Sequence, residues 1–258
     1  MKNNIKDLPV VFVGAGPGDP ELITLKGQKA LQDADLVIYA GSLVPTELLV
    51  WAKKAETINS APLNLDEIID IIVKAVKKNK KVVRLHTGDP SLYGAIKEQM
   101  AELDKHEITY TIIPGVTAAF AAAASMKIEY TLPEITQTLI LTRMTGRTKV
   151  PDSENLKQLA SHRSSMAIYL SIGLIKDVQC ILSEYYGEDF ICAIGVKISQ
   201  PEEKVFYIPV KELANTVEKE QIKSQALIVV SPSLQHSTEV MKIKSRLYNK
   251  DFKHEYRT

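Results

Sequence analysis

A chain of 258 residues with 45% hydrophobic and 24% charged side chains has the make-up of a soluble protein, long enough for one large domain or two modest ones. Its 32 basic and 31 acidic side chains leave a net charge of +1, which excludes bulk electrostatic capture of nucleic acid or a membrane surface. The opening MKNNIKDLP has no apolar run, so no secretory leader is expected there, and the longest apolar stretch, around Ala118 to Ala124, falls far short of a membrane span. Cys180 and Cys192 lie in different apolar segments without metal-ligand spacing. They read as two buried thiols in a reducing compartment, so a cytoplasmic protein with no metal site is expected.

The first element is a β-branched run that ends in glycines: Val10 to Gly27 reads VVFVGAGPGDPELITLKG. Asp19 can cap a following helix and Pro20 suits its first position, which makes a strand, a glycine turn and a helix. A dinucleotide fingerprint needs glycines at relative positions one, three and six, but here the sixth position is Asp19 and the fourth is Pro17. Proline has no N–H for a phosphate, and Asp19 and Glu21 place negative charge where a pyrophosphate would sit. The Gly-Lys-Ser/Thr ending of a phosphate loop is missing as well. The turn suits either a ligand without phosphate approached closely by backbone, or a plain βα turn.

Asp35–Tyr39 reads as a buried strand and runs into Ala40-Gly41-Ser42-Leu43-Val44. Apolar residues at Leu65, Ile68, Ile69, Ile72, Val73 and Val76 have helical spacing over 65–78. The basic run Lys77 to Lys81 that follows fits a solvated helix end. Strand Val82–Leu85 leads into a second glycine turn, His86-Thr87-Gly88-Asp89-Pro90-Ser91-Leu92-Tyr93-Gly94. Strand Thr109–Ile113 leads into a third, Pro114-Gly115-Val116-Thr117, and an alanine-rich helix through Ala124. Three such turns at the ends of parallel strands converge on one sheet edge, where open α/β sheets bind ligands.

The mixed polar segment from Met126 to Glu134 marks a domain boundary. Strand Thr138–Thr142 precedes a basic loop with Arg143, Gly146 and Arg147, suited to an acidic ligand or simply solvated. Further strands fall at Met166–Leu170, Ile191–Val196, Val205–Ile208 and Ala226–Val230, with a helix over Val210–Lys219. The short link before Val205 makes that pair antiparallel. The chain is therefore expected to be α/β with two α/β domains: 1–126 with a mostly parallel sheet, 135–240 with a mixed sheet, and a peripheral tail over 241–258.

The stretch Val13 to Gly27, with Gly88-Asp89-Pro90, Tyr93-Gly94 and Pro114-Gly115-Val116-Thr117-Ala118, resembles the S-adenosylmethionine-dependent tetrapyrrole (uroporphyrin-III/corrin) methyltransferases. The resemblance spans about residues 8 to 235. Within the family, Ala40 to Val44, Thr142-Arg143-Met144 with Gly146-Arg147-Thr148, Tyr169-Leu170-Ser171 and the tail Ser245-Arg246-Leu247-Tyr248 are similar to the branch that methylates carbon 11 of precorrin-4, or of its cobalt form, in cobalamin synthesis. Gln200 departs from that branch, where an aromatic residue is expected.

The resemblance implies the tetrapyrrole methylase fold, a homodimer, and a cofactor cleft between the domains. It places cofactor contacts at Pro17, Thr87, Gly88, Asp89, Leu92, Tyr93, Thr117 and Ala118, with Leu170, Ala193 and Ala226 from the second domain. A sulfonium donor carries no phosphate, which agrees with Pro17 and Asp19. A substrate with many carboxylates calls for cations, and Arg84, Arg143, Arg147 and Lys197, with Gly41 and Ser42, are the candidates. Methyl transfer asks chiefly for orientation and a water-poor site. His86 and Asp89 are the nearest candidates for a base, although a lone histidine equally suits a buried structural role and Asp89 a loop-shaping one. The other readings are methylation at another ring position, a diphthine-forming protein methyltransferase, a nucleotide-dependent oxidoreductase and a non-catalytic carrier.

Overall fold

A computed structural model describes residues 9–41, 43–235 and 252; Ser42, the tail motif at 245–248 and, apart from Phe252, the tail from 241 on lie outside them. The chain divides into two compact units, Met1–Ala121 and Ala122–Thr258. The first unit carries β1 (Val10–Gly14), α1 (Leu25–Asp33), β2 (Leu36–Tyr39), β3 (Glu56–Asn59), α2 (Leu65–Lys77), β4 (Val82–His86), α3 (Ile96–Lys105) and β5 (Tyr110–Ile113). Its sheet runs β3-β2-β4-β1-β5 with every neighbouring pair parallel. All five carboxyl ends therefore reach the same edge. The helix α4 (Ala118–Met126) follows β5, and the division between the units falls inside it.

Strand alternation decides what each face buries. Val10 and Phe12 of β1 pack with α2 and α3, while Val13 packs on the other face with α1 and the 3-10 helix Thr46–Trp51. β4 obeys the same rule, Val82 facing α2 and α3 and Val83 and Leu85 facing away. Arg84 and His86 are thus in register with the apolar face of β4. The crossovers β1-to-β2 and β4-to-β5 run in opposite directions and bury their helices on opposite faces, as right-handed connections require. α2 starts at a capping box: Asn64 accepts from the Glu67 amide while Glu67 accepts from the Asn64 amide.

The second unit carries β6 (Leu139–Arg143), α5 (Leu156–Ala160), β7 (Ser165–Tyr169), α6 (Ile175–Tyr186), β8 (Ile191–Val196), β9 (Lys204–Pro209), α7 (Leu213–Lys219) and β10 (Ala226–Val230). Its sheet runs β6-β7-β10-β8-β9; only β6 and β7 pair in parallel. Ile175, Val178 and Leu182 lie along one stripe of α6 and join Ile168, Ile194 and Ile228 in a separate core.

Two expectations change. The helix after the first glycine turn does not begin at Pro20: Asp19 caps a single 3-10 turn, Pro20–Leu22, Ile23 is extended, and α1 opens at Leu25 with Thr24 as its cap. The helix expected from Val210 likewise begins as a 3-10 turn, Val210–Glu212, before α7. β3 and the short α5 are additions. β3 is an edge strand, Glu-Thr-Ile-Asn, whose largely exposed, polar residues give no alternating pattern to read.

Candidate active site

Three glycine turns meet at the carboxyl edge of the first sheet. The Gly88 amide donates to Gly16 O (2.8 Å), the Gly16 amide to Gly88 O (3.2 Å) and the Ala15 amide to His86 O (2.7 Å), which joins the ends of β1 and β4. A Cβ at Gly14 would lie 2.5 Å from the Gly115 amide nitrogen, and one at Gly115 only 2.1 Å from Gly88 O. Three backbones approach here at a distance that no side chain allows. Gly16 and Gly88 also have positive φ, 81° and 59°. Pro17 is buried in this turn, and the Thr117 Cα lies 3.8 Å from where a Gly88 Cβ would be. Gly14, Gly16, Gly88 and Gly115 with Pro17 and Thr117 form a cradle of backbone, and Ala118 begins α4 directly beyond it.

Asp89 fastens the cradle. One carboxylate oxygen accepts from the Ser91 amide (2.8 Å) and the Ser91 hydroxyl, and the other from the Gly115 amide (2.9 Å). Partial burial pulls its pKa upward, but these hydrogen bonds outweigh that and leave it below the usual carboxylate value. Both oxygens are engaged, so its geometry is that of a tie between turns. His86 is 5% exposed, its Nε2 has no hydrogen-bond partner, and burial followed by the charge of Arg84 lowers its pKa to about 3. A base that weak holds almost no proton at neutral pH. Its ring lies 5.9 Å from that of Phe12.

Beside the cradle is a cavity of about 360 Å³, walled in part by Ala40, Arg84, His86, Thr87, Leu92 and Tyr93. The turn carrying Tyr93 is set by two residues of positive φ, Tyr93 (56°) and Ala95 (48°). Tyr93 is 43% exposed. Gly41, past the end of β2, packs so tightly on Asn59 that a Cβ would meet its side chain at 2.4 Å.

The second unit gathers its candidates at one edge of its sheet. Arg143 ends β6 and pairs with Tyr169, Leu170 follows β7, Lys197 follows β8, and Ala226 opens β10 opposite Val196. Leu170 and Lys197 have φ of 51° and 47°, and the Lys197 amide donates to Gln225 O (2.8 Å). Leu170 is 64% exposed, an unusual state for a strained leucine. Arg143 closes its own loop by donating to Thr148 O (3.1 Å) and Lys149 O (3.4 Å), and Arg147 is exposed within that loop. Ala193 is not brought to this edge: it sits fully buried inside β8, paired with Val229 and Tyr207.

Several contributors had no sequence signal. Gln99, on α3 among apolar positions, accepts from Arg84 Nε (3.0 Å). Glu203 receives the Ser199 amide (2.5 Å) and the Ser125 hydroxyl, ordering the loop after β8. Spacing along the chain marks none of these pairs, which are long-range or lie within irregular loops.

Such a cradle, a buried proline in place of a phosphate-binding amide, and a neighbouring cavity with a buried arginine in its lining fit the tetrapyrrole (corrin/porphyrin) methylases. The model of that family matches residues 9–214, and the chain belongs to it. More narrowly, the chain is 53% identical over 259 residues to the cobalt-precorrin-4 C(11)-methyltransferase of Methanocaldococcus jannaschii, covering 100% of this chain and 98% of the relative. It is 40% identical over 250 residues to the precorrin-4 C(11)-methyltransferase of Pseudomonas aeruginosa, covering 97% and 99%. The X-ray structure of a cobalamin biosynthetic enzyme, cobalt precorrin-4 methyltransferase, matches with a TM-score of 0.86 at 40% identity over 91% of this chain and 99% of that one.

Proposed function

We propose that this chain transfers a methyl group from S-adenosylmethionine to carbon 11 of precorrin-4 or cobalt-precorrin-4, a step of cobalamin synthesis. The observation that carries the reading is the full-length likeness to the archaeal enzyme. The backbone cradle fits the cofactor chemically, because it offers close approach without the amide nest or the cation that a phosphate needs. The cofactor supplies an electrophilic methyl on sulfur. Pro17, Thr87, Gly88, Asp89, Leu92, Tyr93, Thr117 and Ala118 are its proposed contacts in the first unit, and Leu170 and Ala226 in the second.

The protein's part is to hold and orient. Asp89 keeps the β4 and β5 turns at one spacing, so the cradle is set before ligand arrives. Gly41, Ser42, Arg84, Arg143, Arg147 and Lys197 are the proposed substrate contacts, the cations answering the acid arms of the macrocycle. The protein is further proposed to work in the cytoplasm, where its two free cysteines, Cys192 buried as expected and Cys180 exposed instead of buried, stay reduced. Among the described residues no helix is long and apolar enough to cross a membrane. It is proposed to act as a homodimer, with Ile112 of the edge strand β5 and Phe120 of α4, 44% and 55% exposed, as apolar surface for a partner.

The test mixes the protein with S-adenosylmethionine and either precorrin-4 or cobalt-precorrin-4, since the relatives carry both names. A product heavier by one methyl on carbon 11, with release of S-adenosylhomocysteine, is expected. Methylation only of a different tetrapyrrole, or only of a protein acceptor, overturns the reading. Sedimentation analysis that finds monomers alone overturns the homodimer.

A further inference from the structure

The cavity beside the cradle contains an electrostatic imbalance. Arg84 is 5% exposed, and its hydrogen bonds go only to neutral acceptors: Nε to Gln99 Oε1 (3.0 Å), and Nη1 to Ile38 O (3.1 Å) and Leu85 O (3.5 Å). Among the described residues no carboxylate pairs with it, and its Nη2 makes no hydrogen bond. Glu98 also borders the cavity, but it is exposed and not within ion-pair distance of Arg84. A cation taken out of water is destabilising unless an anion compensates it. Burial lowers the Arg84 pKa to about 10, so the guanidinium is still charged at neutral pH. The neighbouring His86 offers no compensation, being neutral and itself short of a partner at Nε2.

The other candidate cations differ in kind. Arg143 is occupied by carbonyls of its own loop, Arg147 is exposed, and Lys197, 42% exposed, lies 3.7 Å from Glu202. Charges at the surface are screened by water and take any acid arm only weakly. They cannot tell one edge of a macrocycle ringed with similar arms from another. Arg84 is held by three acceptors on a central strand, in the lining of a cavity of about 360 Å³.

We propose that this cavity receives a single short carboxylate arm of the substrate on Arg84, and that this one fixed anchor sets which edge of the macrocycle is presented for methylation. The proposal rests on the reading of the substrate given above. Arg84 is a specificity-determining residue here, and Gln99 positions it by accepting from Nε while its own amide donates to Ala95 O (3.1 Å).

Two measurements test it. In protein labelled with 15N-arginine, sodium propionate should shift the Arg84 Nε–H resonance and propionamide should not. In the methylation assay, Arg84→Gln should raise the substrate KM roughly tenfold or more, and 13C-labelled methyl should appear at carbons other than carbon 11. S-adenosylhomocysteine affinity should stay within about twofold, showing a folded cradle, and Arg84→Lys should recover part of the KM. A propionate shift without turnover of either precorrin-4 form would overturn the substrate reading and leave the carboxylate pocket standing. The proposal fails if propionate shifts nothing, or if Arg84→Gln, with cofactor affinity intact, methylates carbon 11 alone at the wild-type KM.

Discussion

Asp89 and His86 sit three residues apart and respond to acid in separate pH windows. The folded-state pKa of Asp89 lies below its unfolded value of 3.8, so its contribution is complete above about pH 4 and is lost as pH falls through the lowered value. Asp89→Asn should therefore flatten the acid limb of stability below about pH 4, read from urea midpoints taken downward from about pH 5. His86 works the other way round. Its folded pKa is about 3 against 6.5 unfolded, so between those values the unfolded chain takes up a proton that the native one refuses. Stability must then fall as pH drops from 6.5 toward 3, and His86→Gln should lose less over that interval than the wild type does. An identical loss in both proteins would mean that the imidazole is not buried neutral.

At the scale of elements, the meeting of three strand ends depends on missing side chains. Gly115→Ala puts a Cβ 2.1 Å from Gly88 O and 2.8 Å from the Gly14 Cα, and both obstacles are backbone. Neither can swing aside, so a loss of about 1–3 kcal/mol or more is expected, with S-adenosylhomocysteine binding lost alongside. Asn64→Ala provides the contrast. It removes the cap of α2 at the start of the helix, and should cost about 1 kcal/mol while leaving cofactor affinity unchanged in calorimetry. The glycine turns were readable because glycine at a strand end carries a backbone meaning by itself. Val10–Gly14, Ile191–Val196 and Ala226–Val230 were readable because short β-branched runs stand out from polar surroundings. Other features are set by neighbours distant in sequence. Nothing local says that Arg84 shares a face with Phe12 and finds Gln99 on α3. Asp19 followed by proline announces a helix start, yet the extended Ile23 ends that turn and hands the start to Thr24.

For the molecule as a whole, the two units bury their apolar residues in separate clusters, so damage to one core need not reach the other. Leu182 is fully buried on α6 among Val178, Ile194 and Leu213. Truncating it leaves a void that well-packed neighbours fill only in part, at a cost of about 2–5 kcal/mol. The parallel sheet of the first unit has its own layers on both faces, α2 and α3 on one and α1 on the other, none of which includes Leu182. Leu182→Ala should therefore lower hydrogen-exchange protection in β7, β8 and β10 while β1 and β4 keep theirs, because stability is local where cores are separate. Exchange followed by mass spectrometry resolves these strands. Equal loss of protection in both sheets would show instead that the two cores open as one cooperative unit.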